Sequence, residues 1–237
     1  MPSYWTLLSW GSEGWLDDIA YGAFITVSLA VATLPLGLII GFFVALAKQA
    51  SEPSLRLVGN IYTTIFRGLP ELLTLFLVYY GVQIGLQNIV RLVQPDATIE
   101  VNSFVSGMVA LGVVFSSYAS EVFLSAFRAI PRGQYEGGYS IGLTSGQTMR
   151  LVVLPQLVRI ALPGLANLWL ILLKDTALVS AIGLSDILRQ TGIAARVTRE
   201  AFLFFSLAIF IYLVLAIISS FGIRAVERAV SQHEDGR

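Results

Sequence analysis

Five stretches of this chain are apolar enough, and long enough, to cross a lipid bilayer as helices. They cover residues 19–47, 72–90, 101–127, 160–185 and 201–223. A bilayer core takes about 20 apolar residues in helical form, and in lipid only helices and closed barrels satisfy every backbone hydrogen bond. We therefore expect an all-α integral membrane protein with five transmembrane helices, the second of which begins earlier, near Leu57. No internal repeat or soluble domain is visible, so residues 19–228 are expected to form one membrane domain.

The overall composition supports a membrane protein. Apolar residues make up 56% of the 237 positions and charged residues 13%, and the mean hydropathy is +0.77. Such values lie far outside the range of soluble domains, so membrane lipid is an expected partner. The net charge is zero, and overall electrostatics therefore give no reason to expect a nucleic-acid partner. The chain has no cysteine, which excludes disulfides, thiolate nucleophiles and thiolate metal sites.

The segment before the first span is rich in aromatic residues and poor in cations. The first eighteen residues contain no Lys or Arg, whereas a secretory signal peptide begins with a basic region. The first span is therefore expected to be retained. Trp5, Trp10 and Trp15 favour a place in the membrane–water interface, so residues 1–18 are expected to form an interfacial segment. An unstructured tail is the alternative.

The basic residues indicate which ends of the spans face the cytoplasm, because cytoplasmic loops retain Lys and Arg. If the amino terminus lies outside, ten of the fifteen basic residues fall in inside segments and four in outside segments, while Lys174 lies within a span. The sequence thus predicts a periplasmic amino terminus and a cytoplasmic carboxyl terminus, with residues 229–237 as a cytoplasmic tail. The loop at residues 131–155 is then cytoplasmic.

This loop has the pattern of two short helices separated by a break. We expect a first helix led by the acid Glu136, a break at Gly142, and a second helix from Thr144 that is closed by Pro155 where the next span begins. We interpret the loop as a rigid knob for another protein to hold, and a tight turn beside the membrane is the alternative. The residues expected to make the contact are Tyr135, Glu136, Gly137, Gly138, Gly142, Leu154 and Pro155.

Polar side chains inside the spans are candidates for a transport pathway, because a charged residue at a helix centre costs about 2.5 to 3.5 kcal/mol on insertion scales. Lys174 and Asp175 are adjacent, so they point about 100° apart and would meet partners on different faces. Glu71 lies one helical turn from Arg67 if the turn survives Pro70. For each, an interhelical ion pair or hydrogen bond that only fixes packing is the alternative. The candidate pathway residues are Glu71, Ser116, Tyr118, Glu121, Asn167, Lys174 and Asp175.

The chain lacks the residues needed to hydrolyse nucleotide or another substrate. Its two lysines, Lys48 and Lys174, stand outside any phosphate-binding loop of the Gly-x-x-x-x-Gly-Lys-Ser/Thr type. Its one histidine, His233, lies in the polar tail, so intramembrane hydrolysis lacks a nucleophile with a base or a metal cluster. We expect no enzyme activity, no catalytic residue, and no metal or other cofactor bound by this chain. A passive channel or a membrane scaffold stays an alternative to ATP-driven transport.

The loop resembles the coupling-loop signature of bacterial ABC importer permeases: Glu-Ala-Ala, three residues, Gly, nine residues, then Ile-x-Leu-Pro. Here Gly137 and Gly138 replace the two alanines, and Val152 replaces the isoleucine. Further motifs recur in the same order in polar amino acid ABC permeases and cover nearly the whole chain. They lie at residues 66–70, with the structural residues Arg67, Gly68 and Pro70, and at 117–121, 130–134, 162–164 and 173–180. Glu71, after the Arg-Gly-x-Pro run, resembles the Q-type subunits of histidine, lysine/arginine/ornithine and opine importers.

The resemblance implies a type I importer fold in which the loop around Glu136 is a cytoplasmic coupling helix. It also implies a bacterial inner membrane location, ATP and Mg bound in a separate ATPase subunit dimer, a second permease of the M type, and a periplasmic solute-binding protein. The implied function is alternating-access import of polar amino acids, basic ones in particular, or opines. Glu71 and Glu121 would offset the charge of a cationic substrate. Glycine costs about 1 kcal/mol relative to alanine in a helix interior, so Gly137 and Gly138 would soften the coupling helix.

Overall fold

The computed structural model describes residues 4–11, 13–94 and 101–235. These residues form ten α-helices, one π-helical turn and one 3-10 helix, and they contain no strand. Five helical segments are long and apolar enough to cross a membrane, as the sequence predicts. The elements are α1 (Tyr4–Leu7), α2 (Leu16–Gln49), α3 (Pro53–Gly68), α4 (Glu71–Arg91), α5 (Ser103–Ala129), α6 (Arg132–Ser140), α7 (Ser145–Thr148), the π turn (Met149–Val153), α8 (Leu154–Asp175), the 3-10 helix (Thr176–Ile182), α9 (Ile187–Thr198) and α10 (Ala201–Asp235).

The centre of the bundle is the contact between α2 and α5. Glycine allows the two helices to approach closely, because a Cβ atom at Gly37 would lie 2.4 Å from Cδ1 of Phe115. At Gly41, a Cβ atom would lie 2.9 Å from the backbone oxygen of Ser116. Lipid tails give helices no hydrophobic reason to associate, so close packing of this kind holds membrane helices together. The pair forms a rigid scaffold for the candidate site residues on α5.

The second predicted span forms two helices rather than one. α3 ends at Gly68 and α4 begins at Glu71, with Leu69 and Pro70 in extended conformation between them. Pro70 has no backbone N–H and disfavours helical geometry at the residue before it, so the helix breaks here. The turn that would stack Arg67 on Glu71 does not survive Pro70, so the condition for that contact is not met. Of these two helices, α4 has the length and hydropathy of a span.

The fourth and fifth spans are longer than their predicted apolar stretches. The fourth covers Ser145–Ile182, and its last turns form the 3-10 helix, which stops where Gly183 adopts a φ of +92°. The fifth helix, α10, continues to Asp235. It therefore includes most of the residues that the sequence assigned to a cytoplasmic tail.

The helix α9 packs against α2 and α10, and the sequence analysis did not predict it. Asp186 caps this helix, because its Oδ1 atom accepts a hydrogen bond from the backbone N–H of Arg189 at 2.9 Å. The Asp186 residue is fully buried. One span separates α9 from α6 along the chain, so α9 lies at the end of the bundle opposite the loop at residues 131–155.

The aromatic amino-terminal segment docks onto this same end of the bundle. Leu7 is buried in a cluster with Phe204 of α10, and the Trp15 ring meets Phe204 edge-on with centroids 6.4 Å apart. Trp5 and Trp10 instead expose 87% and 70% of their surface. Buried contacts fix the segment to the bundle while two tryptophans face outward, which suits an interfacial position.

Candidate coupling loop and transport pathway

The first arm of the loop is α6, and it begins earlier than expected. The helix starts at Arg132, directly after Pro131, so Glu136 lies in its middle and does not lead it. The predicted break at Gly142 is present. Gly142 adopts a φ of +83°, its N–H donates to the oxygen of Tyr139, and the N–H of Leu143 donates to the oxygen of Gly138. This pair of bonds is a Schellman motif, which favours glycine at the left-handed position.

The second arm starts with a capping box. The Thr144 hydroxyl accepts from the N–H of Gln147 at 3.3 Å, and the Gln147 side chain accepts from the N–H of Thr144 at 2.9 Å. Pro155 does not close this arm as expected. The chain continues through the π turn into α8, and Pro155 lies in the first turn of α8. The N–H of Leu154 bonds to the oxygen of Met149, five residues back, and this wider turn makes room for a proline that has no N–H to donate.

The two arms of the loop touch at Gly138. A Cβ atom at this position would lie 2.6 Å from Cγ2 and 2.8 Å from Oγ1 of Thr148, which is fully buried. At Gly137 a Cβ atom would meet nothing within 4 Å. The two positions therefore differ in whether they require glycine. Close packing against Thr148 requires glycine at position 138, whereas position 137 has room for a side chain.

The outer surface of the loop is exposed and partly apolar. Glu136 is exposed, Tyr139 exposes 49% of its surface, and Ile141 exposes 76%. Gln156 of α8 ties the first arm to the membrane span, since its Nε2 atom donates to Oε1 of Gln134 at 2.9 Å. The loop is thus a fixed, outward-facing knob continuous with two spans, α5 before it and α8 after it.

Two candidate pathway carboxylates, Glu71 and Asp175, share one cavity with Tyr118. They are close enough to interact electrostatically. In the described part of the chain, neither lies within 4.0 Å of a Lys or Arg nitrogen. The cavity measures about 20 Å³, which suffices for a single water. The helices are therefore closed around these two acids in this conformation.

Glu121, on the same helix as Tyr118, belongs to a different group of side chains. Its Oε1 atom accepts from Lys48 Nζ and lies 3.3 Å from Nη1 of Arg67. Lys48 also donates to Oγ1 of Thr63 at 3.2 Å, and its side chain is only 6% exposed. The Arg67 guanidinium lies 5.5 Å from the ring centre of Tyr118. This charge cluster joins α2, α3 and α5 directly beside the cavity.

The other candidates lie away from the cavity. The Ser116 hydroxyl is buried, donates to the oxygen of Val113 at 2.8 Å, and lies 2.6 Å from the hydroxyl of Tyr62. Asn167 and Lys174 are exposed on α8. The structure therefore lines one cavity with Glu71, Tyr118 and Asp175. The remaining candidates lie outside this lining, although Lys174 acts on Asp175 electrostatically.

Sequence reasoning missed Lys48 as a site residue and counted it only as an inside cation. A signal was available, since Lys48 is one of two lysines in the chain and follows a long charge-free stretch. Its partner Glu121 is 73 positions away, so the pairing itself needed the fold. Tyr62 and Thr63 were missed for the same reason, because their partners lie on other helices.

The geometry describes a membrane bundle with a stiff projecting loop and two cavity acids that form no ion pair with any residue the structure describes. The family model for the inner membrane component of binding-protein-dependent transport systems matches residues 37–232. The chain belongs to this family. As a member of it, the chain is a permease subunit, and ATP is hydrolysed by a separate subunit, as predicted. Membership of this family argues against the alternative function of a passive channel.

Named relatives and a solved structure support this assignment. The nopaline transport system permease protein NocQ of Agrobacterium fabrum is 42% identical over 224 residues, covering 94% of this chain and 95% of NocQ. The histidine/lysine/arginine/ornithine transport system permease protein HisQ of Salmonella typhimurium is 37% identical over 218 residues, covering 92% and 95%. The crystal structure of an amino acid ABC transporter with histidines superimposes with a TM-score of 0.76 at 31% identity, covering 90% of this chain and 94% of that one. The predicted type I importer permease fold is confirmed.

Permeases of this kind generally work with an ATPase, a second permease and a binding protein, and they lie in the inner membrane. ATP is used by the ATPase partner in such systems. The roles of the individual loop and pathway residues, the sidedness of the termini and the specific partners stay predictions.

Proposed function

We propose that this permease carries cationic amino acids or opines, and that Glu71 and Asp175 bind the positive group of the substrate. The observation that carries this proposal is that two carboxylates line one cavity and neither forms an ion pair within 4.0 Å in the described part of the chain. The exposed Lys174 acts on Asp175 only from further away. Two like charges at short range in a poorly solvated place repel each other. A cation between them relieves this repulsion, so the site favours a positive substrate over a neutral one. The names of NocQ and HisQ, which refer to nopaline and to basic amino acids, agree with this choice.

The cavity must open for transport. Sites for small molecules usually measure about 300–1,000 Å³, whereas this cavity measures about 20 Å³. Alternating access supplies the missing volume, because helices that separate on one side of the membrane widen the site on that side. The charge cluster of Glu121, Lys48 and Arg67 keeps α2, α3 and α5 together during this movement and leaves the cavity acids free.

The force for this movement enters through the loop at residues 131–155. Its exposed surface around Glu136 and Ile141 fits a cleft on a dimeric ATPase, and α5 and α8 connect it directly to the cavity. A second permease of the M type and a periplasmic solute-binding protein complete the transporter. The distribution of basic residues supports a periplasmic amino terminus and a cytoplasmic loop. Residues 19–228 act as the membrane domain.

Uptake of labelled arginine into proteoliposomes tests this function. The complete transporter, with the partner subunits of its own system, is reconstituted with ATP on the ATPase side. We expect Glu71→Gln and Asp175→Asn each to raise the KM for arginine about tenfold or more, as for the loss of one charged hydrogen bond, and to change uptake of a neutral amino acid far less.

The control is Glu52→Gln, which removes an exposed carboxylate far from the cavity and should leave uptake unchanged. Arginine flux of equal size without ATP would contradict the coupled mechanism. An unchanged KM in both cavity variants would contradict the substrate assignment while leaving the coupled mechanism intact.

A further inference from the structure

A groove at the end of the bundle opposite the loop carries two arginines that the transport mechanism does not use. It runs between α9, the 3-10 helix and the start of α10, and it measures about 530 Å³. One face of α9 lines it at helical spacing, with Leu188, Arg189, Gly192 and Arg196, and Phe205 of α10 forms the apolar wall. We call it the α9 groove.

The two guanidinium groups flank an open space over Gly192. Arg189 and Arg196 are seven residues apart, about 10 Å along a helix, and Gly192 lies between them on the same face. Arg189 Nη1 donates to the oxygen of Ser180 at 3.4 Å, and Arg196 Nε donates to the oxygen of Gly192 at 3.2 Å. A Cβ atom at Gly192 would meet nothing within 4 Å. Both arginines can therefore reach an anion seated over the glycine.

Within the described residues these cations form no close ion pair, although the buried Asp186 acts on Arg189 electrostatically from further away. Neither Arg189 nor Arg196 lies within 4.0 Å of a carboxylate oxygen there. Arginine prefers planar, two-pronged contacts with carboxylate or phosphate. The groove thus offers two cations and an apolar wall in one place, a combination that fits an amphipathic anion.

Aromatic residues at the same end of the bundle favour a position of the groove near the membrane boundary. Trp5 and Phe202 expose 87% and 89% of their surface, and Trp15 packs on Phe204, next to Phe205 of the groove. Exposed aromatic residues of this kind gather at the level of the lipid headgroups. The groove lies at the start of α10, which is a candidate span. We therefore expect its arginines near the level of the lipid phosphates and Phe205 nearer the acyl chains.

We propose that the α9 groove binds the phosphate headgroup of an anionic phospholipid, with Arg189 and Arg196 on the phosphate and an acyl chain against Phe205. Basic pockets between membrane helices bind anionic headgroups on the cytoplasmic side of membranes, and the same contacts are available here to an anionic lipid of the opposite leaflet. The site depends on the membrane boundary and not on the direction or substrate of transport.

Native mass spectrometry of the complete transporter tests the site. The detergent-solubilised complex is titrated with phosphatidylglycerol or phosphatidylcholine, and retained lipids are counted. We expect wild type to retain phosphatidylglycerol in preference to phosphatidylcholine. Arg196→Gln removes one groove cation, and Gly192→Leu fills the space between the arginines. Arg196→Gln should weaken retention of one phosphatidylglycerol about fivefold, the factor expected for one lipid-facing cation. Gly192→Leu should weaken it as well, because the side chain occupies the space of the headgroup.

Matched controls separate the groove from general charge and helix effects. Arg199→Gln removes an exposed cation just after α9, outside the groove lining, and should retain the lipid. Gly192→Ala adds one methyl group in open space and should also retain it. Equal lipid retention in Arg196→Gln and Arg199→Gln, or no preference for the anionic lipid, would overturn the proposal. The proposal would also be overturned if Arg196→Gln weakened docking of the solute-binding protein while lipid retention stayed unchanged. In that case the groove would be a contact site for the protein and not for a lipid.

Discussion

The two adjacent glycines of α6 should respond in opposite ways to the same substitution. At Gly137, alanine fills open space and removes a helix penalty of about 1 kcal/mol, so Gly137→Ala should stabilise α6 by that amount. At Gly138, the same gain is opposed by a new Cβ atom 2.6 Å from Cγ2 of Thr148. Overpacking of this kind costs about 1–3 kcal/mol, so Gly138→Ala should be neutral or destabilising.

Rotation of the Thr148 side chain cannot remove the clash. Threonine places two heavy atoms in three staggered positions, and the two positions nearest Gly138 are those now held by Cγ2 and Oγ1. Every rotamer therefore leaves at least one heavy atom close to the new Cβ. Thr148→Ala removes both atoms and leaves Cβ at 3.2 Å, so the double variant Gly138→Ala/Thr148→Ala should recover much of the loss. The Oγ1 atom of Thr148 has no hydrogen-bond partner among the described residues, so its removal costs little.

Hydrogen exchange of the α6 amides in the complete transporter measures these effects locally. Gly137→Ala should slow exchange about fivefold, the factor for 1 kcal/mol, while Gly138→Ala should not slow it. The double-mutant cycle with Thr148→Ala should show a coupling of about 1 kcal/mol or more, as for residues in contact. If Gly138→Ala slows exchange as much as Gly137→Ala does, the contact between the two arms of the loop is refuted.

Two further substitutions probe buried charge. Glu121→Gln leaves the nearly buried Lys48 without its main partner, and breaking a buried ion pair costs about 3–5 kcal/mol of folding stability. Thermal unfolding should show this loss of stability. The double variant Lys48→Met/Glu121→Gln should lose less stability than Glu121→Gln alone. An equal loss in both would contradict the pairing. Burial raises the pKa of Asp186 from 3.8 to about 6, against the hydrogen bond from Arg189. The folded state binds the Asp186 proton more tightly than the unfolded state does, and this difference stabilises the folded state in full below pH 3.8. The stabilisation is lost as the pH rises through 6. The stability difference between wild type and Asp186→Asn should therefore shift by about 1 kcal/mol against wild type between pH 5 and pH 7; no shift would contradict the raised pKa.

The sequence predicts those features that depend on neighbouring residues. The apolar stretches locate the spans because a bilayer demands a minimum length of apolar helix. The break at Gly142 and the helix start at Thr144 follow from glycine conformation and from side-chain capping, both of which are local. The family resemblance supplied the type I fold. These predictions are confirmed by the helices of the structure.

The failures all concern competition between local signals or contacts between distant residues. The apolar character of residues 57–90 predicted one helix, but Pro70 imposed a break that hydropathy does not detect. At Pro155 the proline signal predicted a helix end, yet the π turn accommodates it. No local rule pairs Lys48 with Glu121 or sets Glu71 beside Asp175, because only the packing of separate helices brings them together.

Transfer of force through the loop is the central claim, and site-directed cross-linking tests it directly. The chain contains no cysteine, so Ile141→Cys, at an exposed position, can carry a single photoactivated benzophenone maleimide. Val197→Cys, exposed at the opposite end of the bundle, is the matched control. In the assembled transporter, Ile141→Cys should cross-link to the ATPase subunit and Val197→Cys should not. Absence of an ATPase cross-link from Ile141→Cys, or equal cross-linking from both positions, would contradict the account.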